Sequence, residues 1–113
     1  MTENNGPSAP TPVEAFVKAI NDADTDAFVA LFAPDGLVDD WGTFYRGRDR
    51  VRDWAGSDAI GAGARMTLLD VSTEGAVTTV RFDWRSRVFT GQSTGIFTLG
   101  DAGIESFVIP PSH

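Results

Sequence analysis

The chain has 113 residues, of which 42% are hydrophobic and 22% charged, and its net charge is −7. That is the balance of one soluble globular domain with a real core, and it is too acidic for a nucleic-acid footprint. Cys is absent and the one His is the terminal His113, which excludes disulfides, thiolate nucleophiles, Cys-rich or multi-His metal centres and Ser-His-Asp chemistry.

No apolar run approaches the length that spans a bilayer, and no basic-then-apolar leader opens the sequence, so no membrane contact and a cytoplasmic location are expected. Residues 1–10 are polar, carry Gly and Pro, and read as a flexible tail ahead of a single domain over 11–113. Thr11-Pro12-Val13-Glu14 predicts a helix start, with Thr11 as the cap, Pro12 in the first turn and Glu14 closing a capping box. Val13, Phe16, Val17 and Ile20 then form one apolar helical stripe. Asp24 caps a second helix bearing Phe28, Leu31 and Phe32, and Pro34-Asp35-Gly36 stops it and turns the chain.

Leu37 to Asp40 reads as a short strand, broken at Trp41-Gly42 and resumed at Thr43-Phe44-Tyr45. A third helix from Gly47 buries Val51, Trp54 and Ala55, and Gly56, Gly61 and Gly63 end it. The period then changes to two. Met66–Ser72, Val77–Val88, Ser93–Leu99 and Ile104–Ile109 are four strands, with turns at Glu74-Gly75 and at Asp101-Ala102-Gly103 and a reversal between Arg85 and Gly91. Helices first and antiparallel strands after them predict an α+β domain with helices against one face of a curved sheet. Such a cone leaves a cavity that is the default ligand site.

The run Phe28-x-x-Leu31-Phe32-Ala33-Pro34-Asp35-Gly36, then Val38-Asp39-Asp40-Trp41-Gly42, then Arg46-Gly47-Arg48-Asp49-x-Val51 resembles the nuclear transport factor 2-like, or SnoaL-like, superfamily. Gly95-Ile96-Phe97-Thr98-Leu99 with Gly103-Ile104 is similar to its last hairpin, and the likeness covers nearly all of residues 12–109. It implies a cone-shaped, mostly antiparallel sheet wrapped around three helices. Its members include isomerases, hydrolases, cyclases, dehydratases and non-catalytic binding modules, so the fold alone does not name the activity.

Two partial resemblances place candidate catalytic residues. Against ketosteroid isomerase, Asp40 stands at the general base, and a carboxylate in an apolar pocket has the raised pKa that role needs. That family's Tyr donor falls at Phe16 and its protonated Asp donor at or near Gly95, so both oxyanion donors are missing. The other reading of Asp40 is as a cap of the Trp41-Gly42 turn. Against limonene-1,2-epoxide hydrolase, Arg81-Phe82-Asp83 matches the strand that supplies an acid and its orienting cation, while the last-strand Asp falls at Ile109. A dehydratase of the scytalone type lacks any candidate for its His in the body of the chain.

Alternation leaves two orientations of this strand open. Either Val80, Phe82 and Trp84 are core and Arg81, Asp83, Arg85 and Arg87 form a solvated ladder, or Arg81 and Asp83 face inward. The second orientation follows the resemblance, and its apolar outer face would be buried in a homodimer. The expected ligand pocket comprises Phe16, Val38, Trp41, Tyr45, Trp54, Phe97, Leu99, Phe107 and Ile109, with simple core packing as the alternative for most of them. The function expected is binding of a small apolar molecule, with Asp40, Asp83 and Arg81 as catalytic candidates and neither metal nor cofactor. The alternative is a binding or dimerisation module whose site has degenerated.

Overall fold

A computed structural model describes residues 8–111. Helix α1 spans Thr11–Asn21 and follows Pro10, whose carbonyl accepts the N–H groups of Val13 and Glu14. Thr11 is therefore the first helical residue rather than the cap. Glu14 does reach back over the helix start, but its carboxylate accepts the Ala9 N–H at 3.1 Å. Ala9 also packs on the core, so the folded domain begins inside the stretch expected to be a tail; residues 1–7, Ser112 and His113 lie outside the described residues.

Helix α2, Thr25–Ala30, starts where expected, because Asp24 accepts the Ala27 N–H with its side chain. It ends one turn later, and Phe32 opens strand β1, Phe32–Asp40. The Pro34-Asp35-Gly36 segment is a bulge inside that strand rather than a turn. Across it the pairing with the last strand jumps from Phe32–Ile104 to Leu37–Ser106. Proline has no N–H to give to a ladder, and a bulge is the place where a strand tolerates it.

Trp41 and Gly42, both at positive φ, make the two-residue hairpin turn into β2, Thr43–Arg46. Gly47 then caps α3, Arg48–Asp58, whose buried residues are Val51, Trp54 and Ala55 as the spacing predicts. A single 3-10 turn at Ile60–Ala62 leads to four strands: β3 (Arg65–Glu74), β4 (Val77–Arg85), β5 (Thr90–Gly100) and β6 (Gly103–Ile109). Strand β4 stops three residues earlier than expected. The Ser86 hydroxyl accepts the Val88 and Phe89 N–H groups and folds the chain back.

The sheet order is β2-β1-β6-β5-β4-β3. The β1–β6 pair is parallel and every other pair antiparallel, which makes the α+β, mixed but mostly antiparallel architecture that was expected. Val80, Phe82 and Trp84 of β4 are buried, Arg81 and Arg85 are exposed, and Asp83 is half-buried and paired with Arg85 at 3.3 Å. Alternation thus decides the strand. Its aromatic side packs beneath the helices because only that side gains by leaving water. Arg81 hydrogen-bonds Thr94 and Gln92 on the outer face, so the apolar outer face that motivated the expected homodimer is absent from β4.

The deep part of the cone is filled with aromatic rings. Phe16 lies 4.7 Å from Phe107, 4.9 Å from Phe97 and 5.0 Å from Phe28, ring centre to ring centre. Trp54 stacks on Phe28 and extends the cluster towards Trp84. Gly95 makes this packing possible, since a Cβ there would sit 2.5 Å from the Phe107 ring and 3.2 Å from Phe82. Gly95→Ala is therefore expected to destabilise the fold by about 1–3 kcal/mol through overpacking. Gly56 on α3 has nothing within 4 Å of a Cβ, so Gly56→Ala should stabilise it by about 0.5–1 kcal/mol. Chemical denaturation of the two variants checks the pair, and equal midpoints would contradict the packing.

Candidate active site

The aromatic cluster does not reach the open end of the cone. There a cavity of about 260 Å³ remains, bounded by Asp40 and Trp41 at the end of β1, Trp54 and Asp58 on α3, Phe82 and Trp84 on β4, Val88 and Phe89 on the following loop, Ser93 on β5 and Ile109 on β6. Trp41, 51% exposed, and Val88, 61% exposed, stand at its rim. All three tryptophans of the chain border it.

Asp40 reaches this cavity by strand parity. Val38 and Asp40 share the inner side of β1, opposite Phe107 and Ile109 of β6. Its neighbour Asp39, on the other side, accepts the Gly42 N–H at 2.9 Å and caps the hairpin turn. That is the role weighed for Asp40 in the sequence, and Asp39 filling it leaves Asp40 free. Asp40 Oδ2 accepts the Trp54 indole N–H at 3.0 Å; no hydrogen bond engages Oδ1 among the described residues. Burial pushes the Asp40 pKa above the ordinary 3.8, the Trp54 hydrogen bond opposes that by favouring the ionised form, and the negative charges of Asp58 and Asp39 push it up further.

Asp58 follows Trp54 by four residues, one turn on the same face of α3. Its Oδ1 accepts the Ser57 hydroxyl at 2.5 Å. Among the described residues neither Asp40 nor Asp58 has an ion-pair partner, and no Lys or Arg borders the cavity. Ser93 and Trp84 are 8% and 5% exposed. Neither the Ser93 hydroxyl nor the Trp84 indole N–H is bonded among the described residues, yet no buried side-chain polar atom is left without a partner. Both groups therefore touch open space: Trp84 borders this cavity, and Ser93 borders both it and a smaller hollow beside it.

Of the expected catalytic trio only Asp40 borders the cavity. Asp83 and Arg81 lie across the sheet from it, and Arg81 borders a second hollow of about 80 Å³ with Ser93, Thr94, Pro110 and Pro111. The Arg-x-Asp arrangement of an epoxide hydrolase is thus not assembled around Asp40. Of the expected pocket residues, Trp41, Trp54 and Ile109 line the cavity. Phe16, Val38, Phe97 and Phe107 are fully buried core, and Leu99 packs against that core at a register shift between β5 and β6. Tyr45 pairs with Val38 on the neighbouring strand, beneath the Arg50 guanidinium at 5.7 Å. Its phenol is pushed up first by burial and then by the charges of Asp58 and Asp40.

Asp58, Phe82, Trp84, Val88, Phe89 and Ser93 were not among the expected site residues. The i, i+4 relation to Trp54 points to Asp58, and period-two alternation points to Phe82 and Trp84. Ser93 enters only because it pairs with Phe82 across β4 and β5, a register that no local pattern states.

The family model described as a SnoaL-like domain matches residues 13–106. A search of curated proteins gives no significant match. Among solved structures, a candidate polyketide cyclase from Sinorhizobium meliloti is 27% identical with a TM-score of 0.79, over 89% of this chain and 94% of that one. The Δ5-3-ketosteroid isomerase from Mycobacterium sp. is 15% identical with a TM-score of 0.77, over 89% of this chain and 90% of that one. The Rv0760c protein of Mycobacterium tuberculosis, in complex with estradiol-17β-hemisuccinate, is 14% identical with a TM-score of 0.75, over 89% of this chain and 91% of that one. The last two likenesses show a shared fold. With its helices, its six-stranded mixed sheet and a model match over most of its length, the chain belongs to the SnoaL-like domain family, in the nuclear transport factor 2-like superfamily.

Proposed function

We propose that the chain binds a small, largely apolar molecule at the open end of its cone, and that Asp40 works on it as a cofactor-free general base and acid. The observation that carries this reading is the Asp40–Trp54 pair at the wall of an aromatic cavity. Trp54 fixes one carboxylate oxygen and leaves the other to face a substrate. Burial raises the affinity of Asp40 for a proton, so it is a stronger base than a carboxylate in water. A volume of about 260 Å³ lies just under the ~300 Å³ at which pockets for drug-sized ligands begin, so the substrate is small.

The simplest step that fits is proton transfer next to a carbonyl. Asp40 takes a proton from the carbon beside it, and the C–H electron pair becomes the enolate. Where a carbon–carbon double bond lies β,γ to the carbonyl, the pair spreads over it as a dienolate and Asp40, having exchanged with solvent, returns a proton to the γ-carbon, giving the conjugated isomer with no oxidation or reduction. The charge that develops on the carbonyl oxygen needs a donor. Ser93, Trp84 and Trp41 are donors on the cavity wall whose side chains have no hydrogen-bond partner among the described residues. Deprotonation without return would equally serve a lyase or a cyclisation.

A second reading, binding without turnover, is favoured by one specific observation. The two oxyanion donors implied by the resemblance to ketosteroid isomerase are absent, and the Phe107 ring fills the space over Gly95.

The test is deuterium uptake by a small cyclic ketone such as 2-tetralone in D2O, followed by NMR. Asp40→Asn is expected to slow catalysed exchange by roughly 10²–10⁴-fold. An unchanged rate would remove Asp40 from the mechanism, and binding with no exchange in the unsubstituted protein would select the second reading.

The pH profile gives a further test. The base must be ionised, so exchange should rise with pH through a midpoint above 3.8. Trp54→Phe removes a bond that favours the ionised form and should move the midpoint up. Asp58→Asn removes a repelling charge and should move it down. Shifts of the same sign in both variants would contradict the assignment.

A further inference from the structure

The cavity holds more negative charge than proton transfer requires. Asp40 and Asp58 both border it, neither is paired with a cation among the described residues, and no Lys or Arg lies on its wall. Asp58 is also the last residue of α3, where the unsatisfied carbonyls of the helix end add negative potential. The remaining walls are largely aromatic. Trp54 and Trp84 stand 6.1 Å apart between ring centres at an angle of 41°, and Trp41 forms part of the rim. Both carboxylates are partly shielded from water, and a partly shielded carboxylate pair without a counter-ion favours a positive group beside it. An aromatic wall also attracts a cation through the negative faces of its rings.

Two further groups point to a ligand. Ser93 and Trp84 are each more than nine-tenths buried and border the cavity, Ser93 bordering the smaller hollow as well, and no hydrogen bond engages the Trp84 indole N–H or the Ser93 hydroxyl among the described residues. They offer hydrogen bonds to a polar substituent beside the charged group.

We propose that the ligand of this cavity is a small organic cation, an alkylated ammonium whose charge sits between Asp40 and Asp58 and whose alkyl groups pack against Trp41, Trp54 and Trp84. This rests on the reading of the cavity as a small-molecule site and names the class of molecule. Asp58 holds the charge, and Asp40, next to Trp54, keeps its free oxygen for the substrate. A primary amine would lose hydration that two carboxylates only partly replace. A tertiary or quaternary ammonium is weakly hydrated and enters an aromatic site more readily. A second hydroxyl or carbonyl on the ligand would meet Ser93 and Trp84.

The test uses two molecules of one shape that differ by a charge, choline and 3,3-dimethylbutan-1-ol. All three tryptophans border the cavity, so intrinsic fluorescence reports occupancy by either. At neutral pH and low salt choline should bind roughly tenfold tighter than the neutral alcohol, about one cation–π and ion-pair increment. Asp58→Asn should cut that ratio severalfold, and Asp40→Asn with Asp58→Asn should bring it near one.

If the neutral alcohol binds the unsubstituted protein as tightly as choline, the cationic-ligand proposal is overturned and the cavity remains a site for neutral molecules. A choline preference that survives the double substitution overturns the role given to the two carboxylates. If neither molecule perturbs the tryptophans at millimolar concentration, this proposal and the reading beneath it both fall.

Discussion

The packing of Phe107 against Gly95 decides what this cone can do. A side chain at position 95 would collide with that ring, and glycine there lets Phe107 join Phe16, Phe97 and Trp54 in one aromatic cluster. Removing one buried phenylalanine from such a cluster costs about 3–5 kcal/mol, a large part of the stability of a domain this size. The same packing fills the depth of the cone. The open space is left at the mouth, where β1, α3 and the β4–β5 loop meet.

At the mouth the polar groups are few and each has a distinct position. Asp39 holds the hairpin turn, Trp54 holds Asp40, and Asp58 stands one helical turn beyond Trp54. The carboxylate pair gives the site its charge, and the tryptophans give it shape. A likeness to ketosteroid isomerase at 15% identity shows a shared scaffold. The donors that complete a site differ here, since a phenylalanine stands where the resemblance implies a tyrosine and a buried ring fills the space implied for an acid.

Most of the fold was legible in the sequence because each element carries its own period. The helix stripe of Val13, Phe16 and Ile20, the Asp24 cap and the alternation of Val80, Phe82 and Trp84 all matched what formed. Boundaries failed where a side chain redirected the backbone. Pro34 sits in a bulge rather than a stop, and the Ser86 hydroxyl ends β4 early.

The site was less legible. Asp40 follows from motif and parity together. Asp83 and Arg81 were drawn inward by resemblance, against an alternation that placed them outside, and the physics of burying Phe82 and Trp84 outweighs that resemblance. Phe16, Phe97 and Phe107 were read as pocket walls because sequence cannot say whether a ring lines a space or fills it. Ser93 depends on a cross-strand register that only the assembled sheet specifies.

Trp54 holds Asp40 at the cavity wall, and the titration of Asp40 carries the proposed proton transfer. The most direct measurement is the pH titration of the three tryptophan indole N–H resonances by NMR. The Trp54 signal is predicted to shift in one step with a midpoint above 3.8, and to lose that step in an Asp40→Asn protein. A Trp54 resonance that stays constant from acid to neutral pH would contradict the account.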